Sequence, residues 1–158
     1  MVVVVSEFLR AVSSEATLVR QFVELLEQEQ EVLTNGRTDE LPAIAGTKEK
    51  LAAELNDLSR QRNAFLGSLG FPSDRPGMEG WTTANPSQNE AITAWRQTLS
   101  LAARAKELNS RNGQLIQLRM KYNAQALEIL TRKENNLDLY GPDGRSSTPG
   151  ERRIDDAV

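Results

Sequence analysis

The chain has 158 residues, a formal net charge of −3 and an aromatic content of only 5%. It contains neither Cys nor His, which excludes disulfides, thiol nucleophiles, imidazole bases and the usual zinc sites. Leu, Ala, Glu, Gln and Arg are abundant, as they are in helices and coiled coils. These properties predict one all-α domain that is not an enzyme, needs no cofactor, and lacks the clustered cations of a nucleic-acid-binding protein.

The first five residues, Met1 to Val5, are apolar but do not predict a signal peptide. No basic residue precedes them, the run is short, and Ser6 and Glu7 follow at once. No other run approaches the roughly 18 apolar residues that a membrane-spanning helix needs. We therefore expect a cytoplasmic protein without direct membrane insertion.

Heptad spacing of apolar residues predicts a helix over residues 6–34 and a second over residues 38–69. Asn35 and Gly36 end the first helix, and Gly70 with Phe71 and Pro72 ends the second, because glycine readily adopts the left-handed conformation of a helix cap. The steps of three and four in the second helix are unbroken, although two of the positions are cationic. These positions are Leu41, Ile44, Lys48, Leu51, Leu55, Leu58, Arg62, Phe65 and Leu69.

Residues 70–86 are rich in Gly, Pro and polar residues, which predicts an irregular loop. Trp81 within it either pins the loop onto the helices or is an exposed anchor for a partner. Ser87 and Glu90 form a capping-box pattern that opens a third helix over residues 87–138. Residues 140–158 have the composition of a flexible tail.

The third predicted helix carries two apolar series. The first, here called the seam, steps by three and four through Leu101, Ala105, Leu108, Asn112, Leu115, Arg119, Tyr122, Ala126 and Ile129. The second, here called the second stripe, comprises Ile116, Met120, Leu127 and Leu130. At 1.5 Å per residue this helix would be about 75 Å long, against about 45 Å for each of the others. We predict an elongated, antiparallel three-helix coiled-coil bundle with a long C-terminal helix.

The second stripe allows two interpretations. It is either ordinary core, the default for apolar residues at helical spacing, or a surface that captures an amphipathic helix of another protein. The excess length of the third helix favours capture, and the candidate client-binding residues are Leu115, Ile116, Met120, Leu127 and Leu130. Separately, Glu24, Glu27 and Glu31 share one helix but lack His partners, so we favour a solvated face and assign no metal.

The order of these features resembles the FlgN family of flagellar export chaperones from about Phe22 to Arg145. The runs LNSRNGQLI, YNAQALEIL and LYGPDGR carry most of the resemblance. It implies a cytoplasmic chaperone that keeps the hook-associated proteins of the hook-filament junction unassembled and delivers them to the flagellar type III export gate. The resemblance also implies that Asn109, Asn112 and Tyr140 dock on the cytoplasmic domain of the gate.

Alternatives remain for these assignments. Asn112 lies in the seam, where a polar residue often fixes the register of a coiled coil instead of contacting a partner. The whole chain could also be a self-associating coiled-coil scaffold or adaptor, a homo-oligomer through the third helix. The two functions differ in stoichiometry, since a chaperone covers its surplus stripe with a different chain and a scaffold covers it with a copy of itself.

Overall fold

A computed structural model describes residues 2–138 of the chain, with side chains described for residues 5–133. The elements are α1 (Val2–Asn35), a 3-10 turn (Thr38–Glu40), α2 (Leu41–Ser68), α3 (Asp74–Ala84) and α4 (Asn89–Asp138). No strand occurs in this part of the chain, so the all-α class is confirmed. The chain divides into a first unit, Met1–Ile116, and a second unit, Gln117–Val158.

The ends of α1 and α2 are set by two glycines in the left-handed conformation. Gly36 has a φ of 74° and Gly70 a φ of 83°. At the second of these ends, the Gly70 N–H donates to the Gly67 carbonyl at 3.1 Å and the Phe71 N–H donates to the Leu66 carbonyl at 2.9 Å. This paired bonding is the Schellman motif, which satisfies the last carbonyls of the helix. Both helices therefore stop where their cap residues predict.

The directions of the three long helices follow from their side-chain pairs. Glu15 of α1 bonds to Arg62 of α2, and Glu29 bonds to Lys48, so residue numbers rise on one helix as they fall on the other. Helices α1 and α2 are therefore antiparallel. Arg20 bonds to Gln97 and Glu27 pairs with Arg104, and the residue numbers rise together. Within the first unit, α4 therefore runs parallel to α1.

The main core cluster joins all four helices at one end of the first unit. Its members are Phe8, Val12, Ala16, Phe65, Leu66, Met78, Trp81, Ala91, Ala94 and Trp95. The Phe8 ring stacks on Phe65 with centroids 4.0 Å apart and meets the edge of Trp81 at 4.7 Å. A smaller cluster of Val23, Leu26 and Leu108 continues the packing between α1 and α4.

The prediction of an irregular loop over residues 70–86 is wrong, because α3 occupies its centre. Met78 is completely buried and Trp81 is only 3% exposed, so the tryptophan pins this segment to the core. Gly77 makes the close packing possible, since a Cβ atom there would lie 1.7 Å from the Pro72 carbonyl oxygen. The first unit thus contains a short fourth helix that the three-helix prediction lacked.

Arg62 is the polar centre of the first unit. Its guanidinium forms a buried ion pair with Glu15 of α1, lies 3.1 Å from Asp74 Oδ1 of α3, and lies 5.0 Å from the ring centroid of Trp95 of α4. Asp74 has a φ of 62°, a backbone conformation that residues other than glycine rarely adopt. Asn63 holds it there, accepting a bond from the Asp74 N–H at 2.9 Å and donating to Oδ1 at 3.1 Å. One arginine therefore connects all four helices.

Candidate functional site

Exposed apolar side chains concentrate in one stretch of α4. Of the eight large apolar residues that are exposed in the described part of the chain, seven lie between residues 116 and 130, and Leu69 is the eighth. We call the six that belong to the second unit the apolar band: Leu118, Met120, Tyr122, Leu127, Ile129 and Leu130. A patch of this kind on a single chain usually marks a binding surface.

The apolar band covers about half of the helix circumference. Each residue advances an α-helix by about 100°, so Leu118, Tyr122 and Ile129 fall on one side of the band and Met120 and Leu127 on the other. In the second unit, Tyr122 and Ile129 of the seam are thus exposed to solvent together with the second stripe. A single partner helix in a coiled coil covers only a narrow row of positions. A partner that covers the whole apolar band must therefore be wider than one helix, or must lie between the band and a second surface.

The predicted client-binding residues differ in accessibility. Leu115 is half-buried and Ile116 is 38% exposed, both at the end of the first unit. In the second unit, Met120 is 66%, Leu127 64% and Leu130 58% exposed. The alternative that these last three are ordinary core is therefore wrong for the single chain. Their role in binding a client stays a prediction.

Asn112 is buried, with 1% of its surface exposed. Its Nδ2 donates to the Leu26 carbonyl and to Glu29 Oε1, both at 2.9 Å, and Lys48 pairs with the same Glu29 at 3.2 Å. An amide so placed fixes the register of α4 on α1, as the seam position allows. Direct docking of Asn112 on a partner, one of the predicted roles, does not fit this conformation.

The other two predicted gate-docking residues have different surroundings. Asn109 lies one turn before Asn112, is exposed, and accepts a hydrogen bond from Lys48 Nζ at 3.3 Å. Tyr140 lies outside the described residues. The structure therefore brings Asn109 and Asn112 to one turn of α4, where one is accessible and the other is not.

Two ion pairs between α1 and α2, one buried and one partly buried, are structural features that the sequence reasoning missed. Lys48 and Arg62 occupy positions of the heptad series of α2. Lys48 pairs with Glu29 of α1, and Arg62 pairs with Glu15 of α1. The sequence does contain a signal for these ion pairs. A cation inside an otherwise apolar heptad series must find a carboxylate when it is covered, since an unpaired buried charge is strongly destabilising.

Neither a metal site nor a bilayer-crossing helix is found in the described residues. No three acidic side chains there lie close enough to hold an ion. Glu27 pairs with Arg104 at 3.7 Å and Glu31 with Arg37 at 3.6 Å. Over the same residues, no helix combines the length and the hydropathy that spanning a membrane requires.

Comparison with known proteins assigns the family. The family model described as "FlgN protein" matches residues 1–148. The chain belongs to the FlgN family. The "Flagella synthesis protein FlgN" of Yersinia enterocolitica is 30% identical over 142 residues, which are 82% of this chain and 87% of that protein.

Two further FlgN-family relatives match shorter segments. The protein of the same name from Salmonella typhimurium is 27% identical over 96 residues, which are 60% of this chain and 66% of that protein. The one from Proteus mirabilis is 28% identical over 97 residues, or 59% and 66% of the two chains. No solved structure matches this chain. The resemblance of the sequence to the FlgN family is thus confirmed.

Proposed function

We propose that the chain is a cytoplasmic export chaperone that binds hook-associated proteins of the hook-filament junction, keeps them unassembled and delivers them to the flagellar type III export gate. Membership in the FlgN family supports a role in flagellar assembly. The observation that carries the chaperone assignment is the apolar band, which leaves six large side chains of one chain in water. A client that covers the band would lose its own exposed apolar surface in the same step.

The size of the band sets what a client must supply. Fully burying a Leu, Ile or Met side chain stabilises by about 1.5–3 kcal/mol, so six side chains that are already partly covered contribute roughly 6–12 kcal/mol. Loss of translational and rotational freedom on association opposes this with about 4–15 kcal/mol. A client that contacts only one side of the band would therefore bind weakly. Stable binding requires a client that covers both sides of the band.

A client that places an amphipathic helix on each side of the band meets this requirement best. Such a helix presents apolar side chains at steps of three and four to a complementary surface, and its backbone hydrogen bonds are already satisfied. Met120 suits such a site, because the unbranched thioether side chain adapts its shape to different neighbours. None of the six side chains of the band is a carboxylate, a guanidinium or an ammonium group, and the proposal assigns the band no catalytic step.

The band is tested by replacing Met120 and Leu127 together with Asp. We expect the variant to lose measurable binding of the terminal region of a co-encoded hook-associated protein in isothermal titration calorimetry. Far-UV circular dichroism should change little, because both side chains are exposed in the free chain. Leu69→Asp is the control for one added negative charge, and the single variants Met120→Asp and Leu127→Asp are its matched counterparts, since Leu69 is 49% exposed and lies in the first unit.

Two outcomes would contradict the chaperone assignment. If the double variant binds the client like the wild type, the band is not the client surface. If Leu69→Asp weakens binding equally, the effect comes from added negative charge and not from the band.

Delivery to the gate involves a second set of residues in this proposal. Asn109 and Tyr140 contact the cytoplasmic domain of the gate, and Asn112 acts indirectly by holding Asn109 in register on α1. Truncating an aromatic anchor removes on the order of 2 kcal/mol of binding free energy, which is about a thirtyfold loss of affinity. We therefore expect Tyr140→Ala to bind the client normally and to bind the purified gate domain about thirtyfold more weakly. Unchanged affinity for the gate domain would remove Tyr140 from the docking site.

A further inference from the structure

The sequence contains two Asn–Gly pairs, Asn35–Gly36 and Asn112–Gly113. An asparagine that precedes glycine can lose its side-chain amide without an enzyme, because glycine has no side chain to shield its backbone nitrogen from the asparagine Cγ atom. The two pairs share this local chemistry but differ in their structural surroundings. The folded structure therefore decides which of the two asparagines reacts.

Asn35–Gly36 lies at an exposed helix end. Asn35 is the last residue of α1, and Gly36 follows it in the left-handed conformation with a φ of 74°. Both residues are exposed to solvent. The ends of helices fray, so the backbone of Asn35 can rotate until the Gly36 nitrogen reaches the Asn35 Cγ atom. Water and solvent base also reach this position directly.

Asn112–Gly113 lies within α4 and is covered by α1. Asn112 is 1% exposed, and its Nδ2 atom donates to the Leu26 carbonyl and to Glu29 Oε1, both at 2.9 Å. Rotation of this asparagine toward the Gly113 nitrogen must break both hydrogen bonds and open the middle of the helix. Breaking two such hydrogen bonds slows the reaction by about thirtyfold, before the cost of opening the helix is added.

We propose that Asn35 is a site of spontaneous deamidation in the folded protein and that Asn112 is protected. The Gly36 nitrogen attacks Asn35 Cγ and forms a new N–C bond, the C–N bond of the side-chain amide breaks, and the amide nitrogen leaves as ammonia with the proton that the Gly36 nitrogen gave up. Water then opens the cyclic imide at either of its two carbonyl carbons. One opening gives an aspartyl residue. The other gives an isoaspartyl residue, in which the main chain runs through the former side chain.

Both products disturb the turn between α1 and α2. In that turn the Arg37 N–H donates to the Val32 carbonyl at 3.0 Å, and the Arg37 side chain pairs with Glu31 at 3.6 Å and with Glu40 at 3.5 Å. A carboxylate at position 35 lies one turn after Glu31 and at the negative end of the α1 dipole, and both interactions are repulsive. An isoaspartyl residue also adds one main-chain atom within the ring that the bond from Arg37 to Val32 closes.

Peptide mapping by mass spectrometry tests this proposal. The full chain is incubated in mildly alkaline buffer, once folded and once in about 6 M guanidinium chloride, a concentration that unfolds most domains. The denatured chain is the control, because both Asn–Gly pairs then have flexible surroundings and should deamidate at similar rates. In the folded protein we expect Asn35 to deamidate at least about thirtyfold faster than Asn112. Labelling by protein isoaspartate methyltransferase should locate the isoaspartyl form in the peptide that contains position 35.

Asn35→Gln is the matched variant for the effect on the turn. Its side chain is one methylene group longer, so it forms the cyclic imide much more slowly. After incubation, we expect the urea midpoint of the deamidated wild type to fall by about 0.2–0.5 M and that of Asn35→Gln to stay constant.

Three results would overturn the proposal. Equal rates at Asn35 and Asn112 in the folded protein would show that the structure does not select between the two pairs. Deamidation of Asn35 in guanidinium chloride alone would show that the folded turn protects it. A constant midpoint while the wild-type product accumulates would overturn the effect on the turn.

Discussion

Replacing Gly77 by Ala should detach α3 from the core of the first unit. The added Cβ atom would lie 1.7 Å from the Pro72 carbonyl oxygen and 2.8 Å from its carbonyl carbon. Because the obstacle is backbone, α3 and the Pro72 turn must separate by about 1.3 Å to reach the 3.0 Å that real Cβ atoms respect. That shift disturbs Met78 and Trp81, which α3 buries in the main core cluster.

The expected loss follows from those two side chains. Each contributes about 1.5–3 kcal/mol when fully buried, so losing roughly half to two thirds of their packing costs about 2–4 kcal/mol. The gain in helix propensity from Gly to Ala returns about 1 kcal/mol at most. The net effect is a loss of about 1–3 kcal/mol. With a urea dependence near 2 kcal/mol per molar, the unfolding midpoint should fall by about 0.5–1.5 M.

Urea unfolding followed by far-UV circular dichroism measures this change. Gly46→Ala and Gly113→Ala are matched controls, since a Cβ atom at either position meets nothing within 4 Å and both residues are helical. We expect these controls to be stabilised by up to about 1 kcal/mol. The packing argument is refuted if Gly77→Ala unfolds at the same urea concentration as the two controls.

The remaining predictions concern buried polar side chains. Arg62→Ala leaves Glu15 buried without its cationic partner and should lower the free energy of unfolding by about 3–5 kcal/mol. The double change Glu15→Leu with Arg62→Met should lose much less, and thermal melts of the two variants and the wild type check this. Asn112→Ala removes two hydrogen bonds to α1 and should cost about 1–3 kcal/mol in urea unfolding. The same variant should bind the client normally, and loss of client affinity without loss of stability would contradict the register role.

Much of the helical architecture is readable from heptad spacing. The three long helices were predicted over residues 6–34, 38–69 and 87–138, and each observed boundary differs by four residues or fewer. Periodicity succeeds here because a long helix repeats the same packing many times along its length. The left-handed glycines, Gly36 and Gly70, locate two of the ends because few other residues adopt that conformation.

Helix α3 was beyond reach of the same reasoning. Its sequence, DRPGMEGWTTA, contains two glycines and a proline, which lower helix propensity in isolation. What stabilises it is tertiary: the approach of Gly77 to Pro72, the burial of Trp81, and the bonds from Arg62 to Asp74. None of these contacts has a local signature in the sequence.

The candidate site, like the fold, is only partly predictable from the sequence. The exposure of Met120, Leu127 and Leu130 follows from a third helix that is longer than its partners, a comparison that the sequence permits. The burial of Asn112 does not follow from the sequence, because an asparagine in a seam is compatible with both an internal hydrogen bond and an accessible amide. Only the position of the Leu26 carbonyl opposite it decides between the two.

The order of the core along the chain has a consequence for synthesis on the ribosome. Both core clusters draw their buried members from residues 8 to 108, and Leu108 is the last of them. A nascent chain that has emerged as far as Ile116 therefore already contains every buried member of the two core clusters, and domains generally fold in the order in which they emerge. The apolar band is translated afterwards. Its apolar side chains therefore leave the ribosome when the core positions of the first unit can already be filled by their own residues.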